Sequence, residues 1–213
     1  MRQQKSSTGS VDMQQSPLRV SSGSHNGGCM ILNIFNKNRV SDVPQSLYAA
    51  IVSQARQPVF FLRLGFPDTV TGRFDCLALH VYLFSRRLVG DAHPHAASLN
   101  QDVFDQFVRD TDRALRELGV GDTSVAKRNK KLLRGFYAMV DEFADPLDRQ
   151  DEALLGEKVA ARFSVRQEDT TAALDATALA HYMIASDRCL KAQKTESILA
   201  GRLDWPELPQ QQD

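Results

Sequence analysis

Apolar residues return every three or four positions along most of the chain, which predicts helices punctuated by glycine and proline stops. Leu47, Tyr48, Ile51, Val52 and Ala55 form the first stripe, in a helix that begins near Ser41 with Pro44 early in it and ends at Pro58. A short turn through Phe60, Phe61 and Leu64 stops at Gly65 and Pro67. The next helix is expected from about Gly72 to Leu88. Phe74, Leu77, Ala78, Val81, Phe84 and Leu88 share one face of it, and Tyr82 and Leu83 make it apolar nearly all round, as in a helix buried between others.

Asp91 to Ala97 reads as a loop, and Ser98 with Gln101 forms a capping-box pattern for a helix reaching Leu118. Leu99, Val103, Phe107, Ala114 and Leu118 line one side of it. After the glycine turn Gly119–Asp122, Thr123 or Ser124 is expected to cap a helix to about Ala144, with Val125, Leu132, Leu133, Phe136, Val140 and Phe143 inward. Pro146 is expected to break or kink the chain. A shorter helix follows from about Asp151 to Phe163, then a long one from Asp169 to about Leu199, where Leu174, Ala178, His181, Tyr182 and Ala185 recur. The expected fold class is all-α: a single multi-helix domain over 44–203, an apolar and basic lead-in over 30–43, and a flexible tail over 204–213. Phe84 and Phe136 are the expected core anchors.

Residues 1–29 are rich in Ser, Gly and Gln, with too little apolar surface to offset the entropy of ordering a backbone, and are expected to be a disordered extension. Met30 stands directly ahead of an apolar cluster, so Met1 and Met30 are both candidate starts. The longest apolar run, Cys76 to Phe84, is broken by His80 and is less than half of the roughly 20 residues a spanning helix needs. The apolar cluster before Lys37 and Arg39 is either docked on the core or a weak membrane contact. Cys29, Cys76 and Cys189 are odd in number and widely spaced, which fits a reducing compartment.

Lys and Arg total 26 and Asp and Glu total 26, so the whole molecule lacks the field of a general DNA or RNA binder, and a basic function has to be local. Lys127, Arg128, Lys130, Lys131 and Arg134 supply one: they cluster on the solvent side of the first turns of a helix, where the macrodipole disfavours cations. This face is expected to meet phosphate or an acidic partner, and an RNA- or ribosome-contacting module is one alternative function. Asp141, Glu142 and Asp145 read as a solvated face. Phosphate loops, paired metal-ligand spacings and a glycine-flanked nucleophilic serine are all absent, so no enzyme, metal or cofactor is expected. His80 and His181, both on apolar stripes, leave a haem-handling protein as a second alternative, against the reading of His80 as a core residue bonded to its neighbours. His93 and His95 alone make a poor metal site.

The stretch Gly65-Phe66-Pro67-Asp68-Thr69-Val70-Thr71-Gly72-Arg73-Phe74-Asp75, running into Leu77-Ala78-Leu79-His80, resembles the signature of the ubiquinol-cytochrome c chaperone family. Glu117 to Arg128, with Lys130 and Lys131 following, looks like a second block of that family, and Leu47 to Pro58 is similar as well. The resemblance implies an all-helical, non-catalytic chaperone that binds newly made cytochrome b and supports assembly of the respiratory bc1 complex. It also implies a ribosome contact or a small helical partner protein, as in mitochondrial relatives. Without an arginine-studded presequence the chain looks more like the bacterial branch. That places it in the bacterial cytoplasm or peripherally at the inner membrane, with the mitochondrial matrix as the alternative. Holding an apolar client calls for an apolar groove with a charged rim. Phe60, Phe61, Leu64 and Phe66 are candidates for the groove, and Asp68, Gly72, Arg73, Phe74 and Asp75 for a structural or client-binding signature.

Overall fold

The computed structural model describes residues 34–119, 121–163 and 173–208; it is all-α, and these residues contain no strand. Among the described residues eight helices follow in order: α1 (Ile34–Ala55), α2 (Val59–Leu62), α3 (Val70–Leu88), α4 (Ala96–Glu117), α5 (Asp122–Asp148), α6 (Glu152–Phe163), α7 (Ala176–Ala192) and α8 (Thr195–Leu199). The expected extension over 1–29 lies outside the described residues. The all-round apolar surface of α3 has its explanation in topology: α1, α4, α5 and α7 all pack on it, and α6 bridges α5 to α7. Cys76, Leu79, Val81 and Phe84, which point around the circumference of α3, are all fully enclosed. Phe84 and Phe136 are both core residues, and the Cys76 thiol fills core space while donating to the Ala55 carbonyl at 3.3 Å.

Several boundaries differ from expectation. α1 begins before Ser41, so Pro44 lies inside it and the helix runs through one hydrogen bond short. The Ser98–Gln101 capping box does not form, because α4 starts at Ala96. Ser98 Oγ donates back to the His95 carbonyl at 3.1 Å, and Gln101 bonds Asp105 instead. Two alanines ahead of Ser98 extend the helix at little cost. Neither Thr123 nor Ser124 caps α5, whose N-cap is Gly121. Pro146 does not end α5, which continues to Asp148 and stops where Gln150 takes a positive φ of 55°. The long final helix is two: α7 starts at Ala176, capped by Asp175 accepting from the Ala178 N–H at 2.9 Å, and the chain turns at Gln193 before α8. Its expected beginning, over 169–172, lies outside the described residues. The first part of the expected flexible tail is tied down, since Gln193 exchanges two hydrogen bonds with the Asp204 backbone and Trp205 lies 5.1 Å from the His80 ring.

Polar ties fasten the bundle where apolar packing ends. Arg86 of α3 donates to Asp187 of α7 at 2.7 Å and to Asp148 of α5 at 2.5 Å, and Lys191 completes the pairing of Asp187 at 2.8 Å. Arg87 binds Asp91 at 2.7 Å and the Gln193 carbonyl at 2.9 Å, while Thr195 donates to Asp91 at 2.6 Å, which seats α8 beside the end of α3.

Candidate functional site

An apolar opening lies between four helices. The end of α1 (Val52, Ala55), the start of α3 (Val70, Phe74, Leu77), the last turns of α4 (Ala114, Leu115) with Leu118, and α5 (Leu132, Phe136, Met139) enclose a cleft of about 970 Å³. Its floor is fixed from beneath: Phe74 stacks on Phe107 at 5.6 Å between ring centroids, and Phe104 meets Phe136 at 5.2 Å. No described residue covers its mouth, where Val70 is 60% and Leu118 55% exposed. Exposed apolar side chains at the lip of an apolar cleft are costly to keep in water and mark a surface that meets a partner.

The rim is cationic. Arg56, Arg73, Arg128, Lys131 and Arg162 line the cleft against two acids, Asp75 and Asp110. Some of this charge is already satisfied. Arg73 pairs with Asp68 at 2.6 Å and lies over the Phe61 ring, 5.1 Å from its centroid. Arg162 pairs with Glu142 at 2.7 Å and donates to the Gly135 carbonyl. Asp110 accepts the Tyr48 hydroxyl at 2.9 Å; burial and then that carboxylate push the phenol well above its ordinary range. Arg128 and Lys131 are exposed and have no ion-pair partner among the described residues, and the same holds for Lys127, Lys130 and Arg134 on the rest of that face.

The expected signature is the joint that aims α3. Thr69 caps the helix by accepting from the Gly72 N–H at 3.1 Å. Gly72 lies so close to the Pro67 carbonyl that a Cβ there would collide with it. Gly65, at φ 79°, abuts the backbone of Ala173 and Leu174, and the Asp175 N–H reaches the Leu64 carbonyl at 3.1 Å. Asp68 and Gly72 therefore shape the joint, whereas Arg73, Phe74 and Asp75 line the cleft, Asp75 being buried.

The apolar candidates divide differently from expectation. Phe60, Leu64 and Phe66, 0%, 2% and 2% exposed, are core residues, and only Phe61 of that set lines the cleft. The short α2 turns its aromatic face inward onto His80 and Tyr182, leaving no groove of its own. The cleft was missed because Phe74, Leu118 and Phe136 come from α3, the residue that caps α4, and α5; their sequence signal was apolar stripes longer than one core face needs.

His80 is fully enclosed and both its ring nitrogens are used. Nδ1 donates to the Cys76 carbonyl at 2.7 Å, so Nε2 accepts from the Tyr182 hydroxyl at 2.8 Å, which itself accepts from Gln54 at 3.1 Å. Burial lowers its pKa to about 4. His181 is exposed, opposite Glu152 at 3.4 Å, and not on the apolar face expected for it. The two histidines do not share a site, and the haem reading loses the pair on which it rested. Among the described residues no group of three or more His, Cys, Asp and Glu is placed to hold a metal ion, and no helix is long and apolar enough to cross a membrane. Asp141 is exposed, while Glu142 and Asp145 pair with Arg162 and Arg149.

The chain is similar to the crystal structure of the Cbp3 homolog from Brucella abortus, with 33% identity over 84% of this chain and 97% of that one and a TM-score of 0.72. No curated protein matches it. The ubiquinol-cytochrome C chaperone model matches residues 62–205, a span that holds the α3 joint, most of the cleft and the basic face. On that match and the shared fold, the chain belongs to the ubiquinol-cytochrome c chaperone family.

Proposed function

We propose that this chaperone holds newly made cytochrome b during assembly of the bc1 complex, without catalysis, and that the α1–α3–α4–α5 cleft is where the client sits. The observation that carries the reading is the cleft itself: an aromatic floor, exposed Val70 and Leu118 at the mouth, and cations around it. A membrane-protein segment waiting for insertion or cofactor loading needs apolar cover that releases it, and an open cleft supplies that better than a closed core. The working place is the bacterial cytoplasm, next to the inner membrane where the client inserts.

Val70→Asp with Leu118→Asp tests the reading, because both side chains are already solvent-facing and the fold should survive. Cells carrying the double variant should lose the cytochrome b bands of a reduced-minus-oxidised spectrum while other membrane cytochromes persist. Normal cytochrome b with normal levels of the variant would refute it.

The exposed basic face, unpaired among the described residues, supports a further contact with ribosomal RNA or an acidic partner protein. Lys127, Lys130 and Arg134 lie outside the cleft and are free to serve it.

A further inference from the structure

The charges of the cleft bear on which client segment enters and which way round, an inference that rests on the client-binding reading above. Arg128 and Lys131 stand three residues apart on the same face of α5, in its second and third turns, and both line the cleft. No described residue neutralises them. The acids that line the cleft do not do so: Asp110 is engaged by Tyr48, and Asp75 is buried. Beyond these cations the α5 wall turns apolar, with Leu132, Phe136 and Met139 following along the helix.

An occupant therefore has to be apolar along its length and negative at one end. RNA supplies the charge without an apolar ridge, and an apolar helix ending in lysines brings like charges together. A docked helix carries its own partial negative charge at its C-terminus, which favours that end beside Arg128 and Lys131. We propose that the cleft takes an apolar helical segment bearing Asp or Glu at its C-terminal end, seated with that end against Arg128 and Lys131. Membrane helices carry Lys and Arg preferentially on their cytoplasmic flank, so such a rim discriminates between the two ends of a membrane segment.

The test is fluorescence anisotropy of the full chain with three labelled synthetic peptides that share one apolar helical core. One carries Glu at the C-terminus, one Lys at the C-terminus, and one Glu at the N-terminus. At low salt the first should bind about tenfold more tightly than the second, because Glu forms exposed ion pairs with the two cations where Lys meets repulsion. The third should fall between them, and the differences should shrink as salt screens the rim. Arg128→Glu with Lys131→Glu should invert the order of the first two, and Leu118→Gln, which removes apolar contact without adding charge, should weaken all three alike. Equal binding of the three peptides, lost together in Leu118→Gln, would keep the cleft as a client site and overturn its selectivity. Equal binding of the two Glu peptides would overturn the orientation. Binding that ignores Leu118→Gln, or no binding at all, would overturn the cleft and the selectivity with it. Displacement of the first peptide by an RNA oligonucleotide, or by phosphatidylglycerol vesicles where phosphatidylcholine vesicles displace none beyond peptide partitioning, would assign Arg128 and Lys131 to an anionic surface instead.

Discussion

The His80 imidazole is held neutral, and this has a consequence for stability. In the unfolded chain an imidazole protonates around its ordinary pKa of 6.5, whereas in the fold it does so only at about 4. Between those values the unfolded state binds more protons than the native state, so stability falls as pH falls through the window, by up to about 3 kcal/mol in total. Urea unfolding at pH 7 and pH 5 should show this loss, and His80→Gln, less stable at both, should show a smaller difference between them. An equal pH dependence in the two proteins would place the titration elsewhere. The role of His80 was legible in the sequence because it interrupts a helix apolar on every face, where any polar group has to find partners inside. The place of His181 was not. Its neighbours on α7 include Ala176, Ala178, Ala180 and Ala185, and alanine suits buried and exposed faces equally, so periodicity alone gave no reliable inward direction.

Helices that bury long side chains were readable from their spacing, and their ends were not. α3 and α4 show the difference. Phe74, Val81, Phe84 and Phe107 fix which faces are inward, but a shift of two residues at an end changes little in packing, so a capping pattern such as Ser98–Gln101 is overruled by two alanines. The break between α7 and α8 was hidden because the sequence there has no Gly or Pro; it is made by tertiary bonds, Arg87 to the Gln193 carbonyl and Gln193 to Asp204. The start of α3, in contrast, is set by local sequence and is testable. Gly72→Ala places a Cβ against the Pro67 carbonyl and should destabilise by about 1–3 kcal/mol, read as a lower urea midpoint. Phe84→Ala, in the middle of the same helix and fully buried, should cost about 3–5 kcal/mol. A Gly72→Ala midpoint equal to that of the parent would mean that the joint yields and does not aim the helix.

Across the whole molecule a net charge of zero conceals its uneven distribution, with Lys127, Arg128, Lys130, Lys131 and Arg134 together on one helix face. That clustering was visible in the sequence because it needs only one helix. The cleft beside it was not, since only the packing of α3, α4 and α5 brings Phe74, Leu118 and Phe136 around one opening. The two features separate experimentally through the cations that lie outside the cleft. Lys127 and Lys130 are exposed and unpaired among the described residues, and they lie in the second and third turns of α5, past the first turn where the dipole acts. Lys127→Glu with Lys130→Glu should thus leave stability within about 0.5 kcal/mol of the parent. A thermal melt of the variant should match that of the parent. Peptide binding in the cleft should change little, because neither side chain lines it. If the outer face contacts ribosomal RNA or an acidic partner, cytochrome b should nevertheless fall in cells that carry the variant, and the salt dependence of ribosome binding should flatten. Undiminished cytochrome b with a stable, peptide-binding protein would return Lys127 and Lys130 to ordinary solvated surface and leave the cleft as the whole of the working site.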